Sequence, residues 1–205
     1  MPAPRFSRKR DPNARSINAD KNQLYKLKKT RGDGRFSLKS LIGESETDAI
    51  RASGSIEFEA VGDTGKGDNT QQSAVIEAMA KDVNIENPAA GATFLLNLGD
   101  IIYGPGKKSA YANKFYRPNK AWLQVAPGFK GIILGIPGNH DGEERDERDK
   151  SLAAFNENFC QTDPPMAASF GATMPNQPGA YWWLESPFLD LIGLYSNAAD
   201  SAHRK

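Results

Sequence analysis

Side chains that could bind a metal ion through oxygen occur in three short, glycine-containing segments. They are Asp63 in residues 62–65 (GDTG), Asp100 and Tyr103 in residues 99–103 (GDIIY), and Asn139 with His140 and Asp141 in residues 138–141 (GNHD). Carboxylate, phenolate and amide oxygens are hard ligands that suit Mg, Mn, Fe or a mixed-ligand zinc site. Two such ions about 3.5–4 Å apart activate a bound water and neutralise charge on a phosphoryl group. These residue types therefore indicate metal-assisted hydrolysis.

The elements that precede these segments would bring them together. Residues 55–61 (SIEFEAV) alternate apolar and polar side chains, whereas residues 93–98 (TFLLNL) and 131–136 (GIILGI) are apolar runs typical of strands buried on both faces. Helical patterns at residues 71–84 and at residues 109–125, the second interrupted near Pro118, separate these strands. Strands alternating with helices predict an α/β fold, in which ligand sites gather at the carboxyl ends of the strands. We therefore predict that the three segments face one common edge.

Other elements are predicted from the same patterns. Residues 71–84 place Val75, Met79 and Val83 on one stripe, which predicts the apolar face of a helix. A helix is predicted at 151–159, an irregular segment at 161–179, and two antiparallel strands at 181–184 and 188–195.

Each of the three segments has a simpler interpretation when it is taken alone. Residues 62–65 could form a plain turn, Asp100 could stabilise a turn or cap a helix, and Tyr103 could be a half-buried aromatic residue. Their occurrence in this order, each after a predicted strand, favours the ligand interpretation.

The three segments resemble the first three motifs of the calcineurin-like metallophosphoesterases. Thr64-Gly65 follows Asp63, and Tyr103 lies three residues after Asp100, which makes the purple acid phosphatase-like branch the most similar. The resemblance covers residues 54–197. It implies a metallophosphoesterase-type αββα layered sandwich. It also implies a hydrolase that uses a dinuclear metal centre and a metal-bound hydroxide on a small phosphate monoester, or on a diester.

The resemblance implies a role for each candidate ligand. Asp63 and Tyr103 would bind the first ion, typically ferric iron. Asp100 would bridge the two ions, and Asn139 would bind the second ion through its side-chain oxygen. The second ion would be Zn, Mn or Fe.

The resemblance also implies two catalytic residues. His140 would contact the phosphate and help to protonate the leaving oxygen, and Asp141 would orient His140 or balance its charge.

Two later histidine motifs of the family pattern are not found in this sequence. They would supply three imidazole ligands and continue the second sheet, whereas His203 has no motif around it and is interpreted as a tail residue. We therefore expect the amino-terminal portion of the domain, incomplete at its carboxyl end. Such a fragment would be weakly active or inactive and would require the missing carboxyl-terminal part.

Charge divides the chain into two parts. Residues 1–39 hold 12 Lys/Arg and 3 Asp/Glu, whereas residues 40–205 hold 14 and 22. The first part is poor in aliphatic residues, so we predict a basic, poorly ordered or loosely packed extension over residues 1–50 and a partial metallophosphoesterase domain over residues 51–205. The alternative function is a non-catalytic binding module whose basic tail contacts a polyanion. The scarcity of aromatic residues in the tail argues against nucleic acid.

Several protein classes are excluded by composition. The longest apolar runs are far shorter than the roughly 18 residues of a membrane-spanning helix, so no membrane partner is expected. The first residues lack the apolar region of a secretory signal, which predicts a cytoplasmic protein. One cysteine, Cys160, excludes an internal disulfide framework.

Overall fold

The computed structural model describes residues 27–65, 69–103, 106–127, 129–142 and 152–196. The strands in these residues are β1 (Arg35–Ser37), β2 (Glu57–Val61), β3 (Ala92–Asn97), β4 (Ile133–Gly135), β5 (Trp182–Glu185) and β6 (Asp190–Gly193). The α-helices are α1 (Leu38–Ile42), α2 (Glu44–Ser53), α3 (Asn69–Met79), α4 (Lys120–Leu123), α5 (Ala153–Phe159) and α6 (Pro165–Ser169). None of these helices has the length and apolarity needed to cross a membrane.

The strands that precede the three candidate segments form one parallel sheet. Its order is β2-β3-β4, with Ala60 opposite Leu96 and Leu96 opposite Leu134. Helix α3 lies between β2 and β3 in the chain, and α4 lies between β3 and β4. The predicted α/β class and the predicted parallel arrangement of these strands are therefore confirmed.

Strand β3 is buried on both faces, as its apolar run predicts. All six of its residues are buried. Leu95 packs into a cluster with residues of the helices, whereas Phe94 and Leu96 pack into a second cluster on the other face. The two clusters fix the register of β3, because a shift by one residue would exchange its two faces.

The second sheet has the order β1-β5-β6. Strands β5 and β6 are antiparallel, which confirms the predicted pair, and β1 runs parallel to β5 with Phe36 opposite Leu184. Leu38 and Ile50 are fully buried. The described part of the predicted extension, residues 27–50, therefore packs into the fold instead of lying loosely beside it. Leu38 and Ile50 belong to the cluster that also contains Trp182 and Leu184 of the second sheet. Residues 1–26 lie outside the described part of the chain.

The two sheets share one apolar core. Phe94 and Leu134 of the parallel sheet pack in the same cluster as Trp182 and Leu184 of the second sheet. The Trp182 indole N–H donates to Gly135 O at 3.0 Å, which links β5 to β4 directly. The opposite face of the parallel sheet packs against α3, α4 and α5 through the cluster that contains Leu95. This helix-side cluster also includes Ile76, Trp122 and Phe155.

Helix α3 ends at Met79 and continues as a 3₁₀ turn to Asp82, and the predicted apolar stripe is correct only in part, because Met79 and Val83 pack against the core whereas Val75 does not. Val75 is 47% exposed, whereas Gln72, Ile76 and Ala80 are buried. These residues recur every four positions, so they share one helical face. The predicted stripe at Val75, Met79 and Val83 is rotated by about one residue, because the apolar pattern of this segment is weak.

Two other segments differ from the predictions. Residues 108–123 form a 3₁₀ turn at Lys108–Ala110, a π-helical turn at Ala112–Tyr116 and the short α4, so the predicted interruption near Pro118 is confirmed, but most of the predicted helical segment is not α-helix. The segment predicted to be irregular, 161–179, contains α6, which begins at Pro165 after Pro164.

Candidate metal centre

The loops after β2, β3 and β4 lie side by side at the carboxyl edge of the parallel sheet. Two backbone hydrogen bonds join the first two loops, from Asp63 N–H to Gly99 O at 2.9 Å and from Gly65 N–H to Asp100 O at 3.2 Å. Because β3 lies between β2 and β4, Asp100 lies between the loops that carry Asp63 and Asn139. The structure thus brings the three segments to one edge.

Tyr103 and Asp63 contact each other across two loops. The Tyr103 hydroxyl donates a hydrogen bond to Asp63 Oδ1. This bond, together with burial and with Asp100 nearby, raises the pKa of Tyr103 well above its usual value. The phenol is therefore protonated at neutral pH, and a cation would have to displace this proton to bind the phenolate.

The backbone at both aspartates is left-handed. Asp63 has φ 57° and Asp100 has φ 52°, a conformation that few residues other than glycine adopt readily. Asp100 is held further by His140 N–H, which donates to its Oδ1 at 3.0 Å. Such strained backbone persists only where the surroundings hold it, and it is concentrated at functional sites.

Gly138 allows the third loop to approach Asp100. A Cβ at this position would lie 2.2 Å from Asp100 Oδ1 and 2.3 Å from Asp100 N. Any larger residue would push the β4 loop away from the β3 loop. The glycine of the GNHD segment is therefore required by a close contact between two of the candidate loops.

His140 lies against Tyr103. It begins the 3₁₀ turn His140–Gly142, and its ring centroid is 4.4 Å from that of Tyr103. Asn139 precedes it and lines the cleft at the strand ends. Three of the predicted site residues, Tyr103, Asn139 and His140, are thus partly exposed at one surface.

Asp141 contacts backbone groups of two loops. Its side chain is buried, and its carboxylate accepts hydrogen bonds from the backbone N–H groups of Ile101 at 3.1 Å, Ile102 at 3.0 Å and Gly138 at 2.8 Å. Burial raises the pKa of Asp141 to about 6, although the three N–H groups oppose that change. Asp141 therefore joins the loops after β3 and β4, a role that its position beside His140 did not predict.

Asn97 is a site residue that sequence reasoning missed. This last residue of β3 is fully buried. Its amide donates to Thr64 Oγ1 at 3.1 Å and accepts from Gly99 N–H at 3.2 Å. Thr64 follows Asp63 and Gly99 precedes Asp100, so Asn97 connects the loops that carry the two aspartates. An asparagine inside the apolar run TFLLNL could have indicated this role, because a buried polar side chain needs hydrogen-bond partners.

A cleft of about 500 Å³ opens at this edge. Its lining includes Asp63, Asp100 and Asn139, together with Leu98, Leu194 and Ser196, which were not predicted. Leu194 and Ser196 follow β6, so the second sheet contributes to the cleft. Sequence reasoning missed these residues because the contact between the two sheets is not encoded by any local motif.

The donor chemistry of the site fits a hard cation. Asp63, Asp100, Tyr103 and Asn139 offer only oxygen atoms, and a small divalent ion is often held by one or two carboxylates and water. Among the described residues, no group of three or more His, Cys, Asp or Glu side chains is placed to hold a metal. The described side chains therefore suit one ion, and a second ion would need further donors.

Comparison of the chain with family models, with curated proteins and with solved structures finds no match. His203 and most of the basic tail lie outside the described residues.

Proposed function

We propose that the chain is a metal-dependent phosphohydrolase that acts on phosphate monoesters, or on diesters. Bound at the strand ends, the metal ions would supply electrostatic stabilisation of the phosphoryl group and an activated water. The observation that supports the proposal is the meeting of Asp63, Asp100 and Asn139 at adjacent ends of three parallel strands, with Tyr103 hydrogen-bonded to Asp63.

We propose that Asp63, Asp100, Tyr103 and Asn139 hold the metal. The contact between Tyr103 and Asp63 supports their binding to one ion, because the two oxygens are already joined by a hydrogen bond. The central position of Asp100 supports a bridging role. An arrangement with two ions, Fe with Zn, Mn or Fe, belongs to the same proposal and requires donors beyond these four, in a complete αββα sandwich.

His140 is proposed to contact the substrate phosphate and to protonate the leaving oxygen. Its ring packs beside Tyr103 at the surface of the candidate centre, which places an imidazole next to the proposed ligands. Asp141 is proposed to position His140 by joining the β3 and β4 loops through three backbone N–H groups.

The test combines metal binding with catalysis. Mn²⁺ affinity is measured by equilibrium dialysis, and hydrolysis of a chromogenic phosphate ester is measured with Mn²⁺ present. Asp100→Asn should weaken Mn²⁺ binding and lower kcat/KM by about 100-fold or more, since loss of even an outer partner costs about 10–100-fold. Asp190→Asn, an exposed aspartate at the start of β6, is the matched control and should leave both values unchanged. Undiminished Mn²⁺ affinity and turnover in Asp100→Asn would overturn the proposal.

A further inference from the structure

We infer that the cleft at the strand ends accepts a phosphoester whose leaving group is apolar and uncharged; this inference rests on the proposed function. Two leucines are the basis for it. Leu98 and Leu194 both line the cleft, and they are 53% and 65% exposed. Exposed apolar surface bordered by polar groups is typical of a binding site.

The backbone of Leu98 is anchored on both sides. Its N–H donates to Val61 O at 2.8 Å, and it directly precedes the left-handed turn at Gly99 and Asp100. A Cβ at Gly62 would lie 3.3 Å from Leu98 Cβ, so the β2 loop packs closely against it. Leu98 is therefore held next to the proposed ligand Asp100 and is not part of a free loop end.

Other apolar residues lie beside the two leucines at the cleft. Ile136 and Pro137 line it on the side of β4, and Leu194 lines it from the end of β6. Apolar side chains from three strands thus border the two carboxylates. An alkyl or aryl group placed here would remove the exposed surface of Leu98 and Leu194 from water, which favours binding.

The charge of the cleft selects against anionic leaving groups. Its described lining contains Asp63 and Asp100 but no lysine or arginine. A metal ion would balance the transferred phosphoryl group, but the further phosphates of a nucleoside triphosphate would find no cation in this lining. A sugar would place hydroxyl groups against leucines, where they would lose hydrogen bonds to water.

The experiment compares esters with matched chemistry. n-Hexyl phosphate and glucose 6-phosphate both release a primary alkoxide, so a difference in kcat/KM reports the attached group. With Mn²⁺ present, we expect kcat/KM for hexyl phosphate to be at least about tenfold higher, because burying about two methylene groups is worth that factor. ATP should be the poorest of the three substrates.

A binding measurement tests the same inference without turnover. Hexylphosphonate should bind the Mn²⁺-loaded chain about tenfold more tightly than methylphosphonate, measured by titration calorimetry. Leu98→Lys should remove most of this difference and should improve ATP binding, whereas Leu98→Met should retain it. Val75→Lys, which changes an exposed apolar residue on α3 away from the cleft, is the matched control.

The outcomes separate the two proposals. No hydrolysis of any ester, with tight hexylphosphonate binding that Leu98→Lys abolishes, would contradict the catalytic proposal and support the apolar subsite. Equal kcat/KM values for hexyl phosphate and glucose 6-phosphate, with equal phosphonate affinities, would overturn the subsite alone. A dimer that Leu98→Lys dissociates without altering the ester ratio would also overturn it, since a second copy would then cover the leucines.

Discussion

Single buried polar side chains set the geometry of the candidate centre. Asn97 and Asp141 together hold the loops after β2, β3 and β4 through hydrogen bonds to Thr64 and to four backbone N–H groups, those of Gly99, Ile101, Ile102 and Gly138. Neither side chain is accessible enough to bind a substrate. Their effect is to keep the partly exposed Asp100 and Asn139 in place, so their removal should affect stability as well as any metal affinity.

The raised pKa of Asp141 predicts a specific pH dependence. Its folded-state pKa of about 6 exceeds the ordinary value of 3.8, so the folded chain binds this proton more tightly than the unfolded chain. The stabilisation that comes from protonated Asp141 is fully present below about pH 4 and is lost as the pH rises through about 6. Relative to Asp141→Asn, wild type should lose about 3 kcal/mol of unfolding free energy between about pH 3 and 7, measured with urea. If the unfolding free energy of wild type minus that of Asp141→Asn stays constant or rises between about pH 3 and 7, the raised pKa of Asp141 is contradicted.

Replacement of Asn97 should destabilise the chain. Asn97→Ala leaves the buried N–H of Gly99 and the hydroxyl of Thr64 without this partner, which should cost about 2 kcal/mol of unfolding free energy. Urea unfolding measures the change. Asn113→Ala, at an exposed position, is the control and should stay within about 0.5 kcal/mol of wild type. Equal stability of the two variants would show that the Asn97 bonds carry little net free energy.

At the scale of elements, α3 shows how a weak pattern misplaces a helical face. Ile76 packs fully buried on the parallel sheet, whereas its neighbour Val75 faces solvent. Ile76→Ala should lower the unfolding free energy by about 2–5 kcal/mol, and Val75→Ala by no more than about 0.5 kcal/mol. The two variants are measured side by side by thermal and urea unfolding. Comparable losses would mean that the helix is rotated relative to this description.

Gln177 completes the edge of the parallel sheet. Its side chain is fully buried, its Oε1 accepts from Gly135 N–H at 2.6 Å, and its Nε2 donates to Gly135 O at 2.9 Å. The amide thus pairs with β4 as a further strand would, which satisfies a backbone group that an edge strand leaves open. Nothing in residues 161–179 of the sequence predicts this pairing.

Loss of the Gln177 amide should therefore weaken the edge. Gln177→Leu keeps the volume but leaves the buried Gly135 N–H unpaired, and we expect a loss of about 2 kcal/mol in unfolding free energy. Hydrogen exchange of the Gly135 amide should accelerate in the variant. Gln71→Leu, at an exposed position of α3, is the matched control and should change neither quantity.

At the scale of the whole molecule, the two sheets depend on one shared core. Trp182 fills the space between them, with its ring edge-on to Phe36 at 5.8 Å and its N–H bonded to Gly135 O. Gly193 makes room for this ring, since a Cβ there would lie 2.3 Å from it. The two sheets should therefore unfold together and not as separate units.

Trp182→Ala tests this dependence. It should cost about 3–5 kcal/mol, because a large cavity would remain between the sheets. In a Trp183→Phe background, where Trp122 of the helix-side cluster is the remaining tryptophan, far-UV circular dichroism and tryptophan fluorescence should still report one common midpoint. Trp182→Phe should recover much of the loss. Separate midpoints for the two probes would show that the sheets fold independently.

Local patterns in the amino-acid sequence predicted the strands and the oxygen donors at their ends. The apolar runs before Asp100 and Asn139, and the glycines beside them, were sufficient to predict buried parallel strands that end in oxygen-donor loops. These features depend on side chains within a few residues of each other, which a sequence pattern records directly. The metal, the substrate and the phosphohydrolase activity stay predictions.

Several contacts between residues distant in the chain were found in the folded structure and were not predicted from the sequence. The folded structure paired β1 with β5, assigned Asp141 to the amides of the β3 loop about 40 positions away, and placed Leu194 at the cleft. Such contacts depend on how sheets and helices pack, and many alternative partners have the same polarity and size. The local sequence cannot rank those alternatives, because their energies differ only once the whole core is assembled.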